Sequence, residues 1–149
     1  AVDSSMDYGL LYTGIEGLSL YAAMGENNNQ PTTGITGKAD LSMFGATYSM
    51  GAFTIGYQAN ETDSGTANQD EDFTAMGISY AVSDDLSVSL NQSNIDFESS
   101  AEDQEATGVS FSYTSGGMTI SATHSTVDNV GGTATADNTG YELNFGFAF

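Results

Sequence analysis

Along most of this chain, apolar and polar residues alternate with a period of two. The last stretch is the plainest case. In Tyr141-Glu142-Leu143-Asn144-Phe145-Gly146-Phe147-Ala148-Phe149 every odd position is aromatic or Leu, and every even position is acidic, amide or small. Successive side chains of a β-strand point to opposite faces, so this string has one wholly apolar face; a helix would scatter the same residues around its circumference. The same alternation predicts strands at Phe53 to Asn60, Met76 to Ala81, Leu86 to Asn91, Val109 to Thr114 and Met118 to Thr123. Weaker versions run from Met6 to Tyr12, Leu18 to Met24 and Phe44 to Met50, which makes nine strands with the C-terminal one.

The connections alternate in length. Short links fall at Gly14 to Gly17, Met50 to Ala52, Val82 to Asp85 and Ser115 to Gly117, and long polar links at Glu26 to Asp40, Glu61 to Asp72, Asp96 to Glu105 and Asp128 to Asp137. Gly, Asn and Asp crowd these links because they tolerate turn geometries that β-branched residues resist. The parity of the apolar positions slips at Leu41/Met43 and at Ile95/Phe97, where bulges or strand ends are expected. Tyr12, Tyr48, Tyr80 and Tyr113 each stand just before a short link, a hairpin-sized repeat.

An all-β chain can bury its apolar face in a soluble sandwich or expose it to lipid. Three features favour an antiparallel, up-and-down transmembrane β-barrel. The face opposite the apolar one is rich in Gly, Ala, Ser, Thr and Asn, with almost no Lys or Glu, as suits a wetted interior. The repeated Tyr would form an aromatic girdle at one membrane interface, and short turns alternating with longer loops are the barrel's habit. Extended by a residue or two at each end, most strands reach the roughly 9–11 residues that a tilted crossing needs. The rival is a soluble, secreted or surface-attached acidic β-sandwich with an adhesive or cation-binding role.

Charge narrows the choice of partners. The chain carries 20 acidic residues against a single Lys38, for a formal net charge of -19. Nucleic-acid binding and a polybasic membrane anchor both need Lys and Arg, and both are excluded. With no Cys and one His there is no disulfide framework, and a zinc site is not expected. The longest apolar run, Leu20 to Met24, is far too short for a transmembrane helix. No basic, apolar-cored leader opens the sequence, so any export signal is expected to have been removed or to lie outside this segment.

The terminal string closing on Phe149, the hairpin meander, and strand openings such as Met6-Asp7-Tyr8-Gly9 and Leu18-Ser19-Leu20-Tyr21 resemble the C-terminal portion of a Gram-negative general porin of the alphaproteobacterial kind. The resemblance implies a passive channel in the bacterial outer membrane, a homotrimer surrounded by lipid and lipopolysaccharide. It also implies that the barrel-assembly machinery reads Phe149, supported by Tyr141, Phe145 and Phe147. Residues 1–149 would then be a single segment, about the last nine strands of a 16-stranded barrel. The inward loop that narrows such pores, and the basic wall facing it, are not found in this stretch. A complete eight-stranded barrel is the alternative, with Ala1 to Thr13 as a plug, tail or extra strand.

Candidate site residues follow from parity. Gln58, Asn60, Asn91, Glu142 and Asn144 occupy the polar face of their strands and are the expected pore-lining residues. Tyr12, Tyr48, Tyr80 and Tyr113 are the expected girdle, and Ala22, Ala46, Ala59 and Ala122 would allow a flatter subunit contact. Most of the acidic residues fall in the long links and would attract cations to the pore mouth. Asp70, Glu71, Asp72, Glu102, Asp103 and Glu105 are candidates for weakly held Ca²⁺ or Mg²⁺, since hard ions prefer carboxylate oxygens, although no stretch has the EF-hand pattern. Otherwise no cofactor is expected. His124 beside Ser125 is the one pairing that suggests a hydrolase; His124 shares the parity of Met118 and Ile120 and is expected to point outward, so no enzyme is indicated.

Overall fold

A computed structural model describes residues 5–27 and 38–148 of the chain. Nine strands form one sheet in which each pairs only with its sequence neighbours: β1 (Met6–Ile15), β2 (Leu18–Asn27), β3 (Ala39–Met50), β4 (Phe53–Asp63), β5 (Glu71–Ala81), β6 (Leu86–Phe97), β7 (Gln104–Ser115), β8 (Met118–Asp128) and β9 (Asn138–Phe147). Every pairing is antiparallel. The sheet is open, with β1 and β9 at its edges. Among the described residues there is no α-helix, only a short 3₁₀ turn (Val130–Gly132).

The sheet bears on both alternatives to a partial barrel wall. No second sheet packs against the first among the described residues, so there is no sandwich. The first predicted strand is a wall strand, paired with β2 from Met6↔Glu26 to Tyr12↔Leu20, so of the plug, tail or extra strand that a small complete barrel would make of it, only the extra strand fits.

The register sorts the side chains. Leu10, Ala22 and Phe44 share one face across β1 to β3, and Ile55, Ile78, Leu90 and Val109 continue it across β4 to β7. At the other flank Phe111 faces Ala122, which faces Leu143. None of this is covered: Phe111 is 42% exposed, Phe145 59% and Phe147 64%. The only buried hydrophobic residue described is Ala39. A sheet this size without a core must cover its apolar face with something outside itself.

The strands run 10–12 residues, longer than the alternating strings, and most of the added length lies toward the long links. There the apolar face turns polar and then acidic. From Tyr80 it passes through Ile78 and Met76 to Thr74 and Asp72, and the register sets Asp40 against Asp63, Asp72 against Asp96 and Glu105 against Asp128.

Of the bulges or strand ends expected near Leu41/Met43 and Ile95/Phe97, no bulge is found, while β6 does end at Phe97. Register is unbroken through both places, and among the described residues the one irregularity lies between Tyr12 and Ile15. Met43, Phe73 and Ile95 therefore lie on the face of Asn60 and Gln104. The parity change is an inversion of amphipathicity near the long-link end, where carboxylates take one face and apolar side chains the other.

Each short turn is tied to the strand beyond its own hairpin. Ser49 N–H donates to Gly17 O at 2.8 Å, Ala81 N–H to Ala52 O at 2.9 Å, Thr114 N–H to Asp85 O at 2.8 Å and Ala148 N–H to Gly117 O at 2.7 Å. Each bond satisfies a turn carbonyl and ties the turn to its neighbouring strand. The long links are braced as well. Asp70 accepts from Ser64 N–H (2.8 Å) and Ser64 Oγ–H (3.0 Å), and Glu98 accepts from Gln69 N–H (3.1 Å), docking one long link on the next.

Candidate functional site

The predicted lining residues are brought onto one face. Gln58 stands between Gly45 and Ala75, Asn60 between Met43 and Phe73, and Asn91 between Gly77 and Gly108. On β9, Glu142 faces Thr123 and Asn144 faces Ser121. The amides bond along their strands: Gln58 Nε2 donates to Asn60 Oδ1 at 3.0 Å, and Asn144 Nδ2 donates to Glu142 Oε1 at 2.8 Å. Hydroxyls fill much of the rest in cross-strand pairs, Ser49 with Thr54 at 2.9 Å, Ser89 with Ser110 at 2.6 Å and Thr114 with Thr119 at 3.0 Å. These pairs satisfy part of each hydroxyl's capacity and leave lone pairs for water.

Tyr21 and Asp7, also on this polar face, were not among the candidates. Tyr21 shares this face, and its hydroxyl donates to Gln58 Oε1 at 3.3 Å. It sits in the apolar string Leu18 to Met24, where an aromatic reads as part of the greasy side; strict parity with Ser19 would have found it. Asp7 lies opposite Gly25, and its parity against Met6 and Tyr8 was the available signal.

The opposite face carries the remaining candidates. Tyr48 and Tyr113 lie beside Leu18 and Leu86, and Tyr80 stacks on Phe53 with centroids 4.4 Å apart. With Tyr12, all stand on the apolar face toward the short turns. Tyr141, Phe145 and Phe147 share that face on β9; Phe149 lies outside the described residues. Ala22, Ala46 and Ala59 gather on β2 to β4 between Leu10, Leu20, Phe44 and Tyr57, whereas Ala122 lies apart on β8.

The pairing of His124 with Ser125 does not survive. His124 is on the apolar face against Tyr141, ring centroids 4.4 Å apart, while Ser125 is on the polar face between Gly108 and Gly140. Adjacent residues of a strand point to opposite sides, so this imidazole cannot take the proton of this hydroxyl.

The acidic candidates are dispersed. Glu71 shares the polar face with Thr62 and Phe97, and Asp72 the opposite face with Glu61 and Asp96. Asp70 is engaged by Ser64, Asp103 accepts from Asn94 Nδ2 at 3.3 Å, and Glu105 pairs across to Asp128. Glu102 sits in the β6–β7 link, its N–H donating to Ser100 Oγ at 3.3 Å. Among the described residues no three of the His, Asp and Glu side chains converge as metal ligands. Lys38 bonds Asp40 Oδ1 at 3.2 Å and Glu26 Oε1 at 3.3 Å, and Asp40 first, then Glu26, holds its ammonium above the ordinary value.

A coreless antiparallel meander with one apolar and one small, polar face is the wall of an outer-membrane β-barrel. The model of the Gram-negative porin family matches residues 1–113. The chain belongs to that family, and its place is the bacterial outer membrane.

Solved structures show the same fold. A porin refined at 1.8 Å resolution superposes with a TM-score of 0.73 at 18% identity, over 95% of this chain and 50% of that one. A loop L8 deletion mutant of OmpT, an outer membrane protein of Vibrio cholerae, gives 0.65 at 18% identity over 93% of this chain and 51% of its own. OmpT expressed in the outer membrane gives 0.60 at 20% identity over 95% of this chain and 54% of its own. The chain thus spans about half the length of these structures. No curated protein matches it.

Proposed function

We propose that this chain is about half the wall of a water-filled channel through which small hydrophilic solutes and ions diffuse passively across the outer membrane, with preference for cations. The observation that carries this reading is the contrast between the two faces of one coreless sheet, an uncovered apolar band behind a lining of Ser, Thr, amide and Gly. In this reading the working part is a passage walled by hydroxyls and amides, and solutes cross it unchanged. In this reading the segment is the C-terminal portion of a 16-stranded barrel, and pore width and charge set the selectivity.

The same reading assigns the partners. The small-residue area of Ala22, Ala46 and Ala59 would be part of the homotrimer contact. Phe149, with Tyr141, Phe145 and Phe147, would be read by the barrel-assembly machinery. The outward carboxylates, Asp72 against Asp96 and Glu105 against Asp128, sit where lipopolysaccharide phosphates lie, and weakly held Ca²⁺ or Mg²⁺ would bridge the two. Like charges directly opposite on a sheet repel, which such ions would relieve.

Cation preference follows from the charge of -19 and from Glu142 on the lining. In planar bilayers holding the full-length protein under a KCl gradient, the reversal potential is expected on the cation-selective side, and Glu142→Gln is expected to move it toward zero. Anion selectivity of the unaltered channel would contradict the charge assignment.

A further inference from the structure

Three side chains of the polar face lie along the sheet instead of standing away from it. Asp7, Tyr21 and Asn91 each reach over a glycine of the following strand: Gly25, Gly45 and Gly108 respectively. A methyl group on any of these glycines would overlap the side chain above it: Asp7 Oδ1 over Gly25, the Tyr21 ring and hydroxyl over Gly45, Asn91 Oδ1 over Gly108. Gly45 and Gly108 are buried although the sheet has almost no core, and those same side chains crowd them. Having crossed Gly45, the Tyr21 hydroxyl reaches Gln58 at 3.3 Å, which reaches Asn60 at 3.0 Å, so one ring is pinned flat across three strands. Not every glycine of this face is used so. A methyl on Gly56 would meet Thr47 Cγ2 at 3.5 Å, an ordinary contact.

We propose that Gly45 and Gly108 set the open width of the channel by seating Tyr21 and Asn91 flat against the wall. Both glycines are positioning residues for permeation, acting through the side chains they admit, and the inference rests on the polar face being the lining. What obstructs a methyl at 45 is the far end of a flexible side chain and not backbone, so the ring must move while the sheet stays. Side chains in strands otherwise stand roughly perpendicular to the sheet in their staggered wells. For Tyr21 that direction is into the lumen, and leaving the wall also breaks its bond to Gln58.

The test is single-channel conductance of the full-length protein in planar bilayers, with heat-modifiable migration on gels as the check of assembly. Gly45→Ala is expected to lower conductance by about a tenth to a half. Tyr21→Ala on that background should return it to the wild-type level or above, and Gly56→Ala should change it by less than about a tenth. The inference is overturned if Gly45→Ala conducts as wild type, if Tyr21→Ala fails to reverse the loss, or if Gly56→Ala loses as much. Should Gly45→Ala not assemble, Gly108→Ala with and without Asn91→Ala makes the same comparison. A wild-type protein that opens no channel would instead remove the reading of the lining on which this one stands.

Discussion

Gly17 shows how much one position can decide. It closes the β1–β2 turn at φ 78°, in the left-handed region that L side chains rarely adopt, and its carbonyl accepts from Ser49. A methyl there would also collide with Ser49 O, a backbone atom that cannot step aside. Gly17→Ala is expected to cost about 1–3 kcal/mol and to lower the urea midpoint of the refolded barrel, whereas Gly51→Ala, whose added methyl meets nothing, should cost less. At this scale legibility was uneven. Gln58, Asn60, Asn91, Glu142 and Asn144 fell on one face because parity alone places a side chain in a strand. Which of them stand and which lie flat was hidden, because that depends on the glycine one strand away, set by a register that no local pattern encodes.

At the scale of the strand, alternation was legible where an apolar face touches the membrane and illegible above it. The string from Met76 to Ala81 reads clearly, but β5 begins at Glu71, where carboxylates replace aliphatics on the outer face and Phe73 appears on the inner one. With both faces mixed, the period of two loses contrast, and Leu41/Met43 and Ile95/Phe97 look like slips. Neighbours on one strand should therefore tolerate the same substitution very differently. Ile78, between Ile55 and Leu90 on the apolar face, should pay about 2–4 kcal/mol for an Arg at mid-depth, seen as loss of folded barrel in a urea titration. Ser79→Arg, on the lining, should leave the urea midpoint nearly unchanged.

For the whole molecule, the resemblance to a porin pointed to part of a larger barrel, and the open sheet and half-length superpositions agree with that. Curvature, closure and the subunit contact were out of reach of periodicity, since they depend on shear and on surfaces beyond these strands. The central physical claim is that hydrocarbon covers the face of Ile78, Leu90, Val109 and Ile120 while water covers the face of Ser79, Ser89, Ser110 and Ser121. Single spin labels are placed along β5 to β8 of the full-length protein in lipid vesicles, with any Cys outside this chain replaced first; the chain itself has none. Collision with oxygen, which concentrates in the bilayer, should peak at the first set, and collision with a water-soluble nickel chelate at the second, the two oscillating out of phase with a period of two. Equal accessibility on both parities, or the opposite phase, would contradict the account.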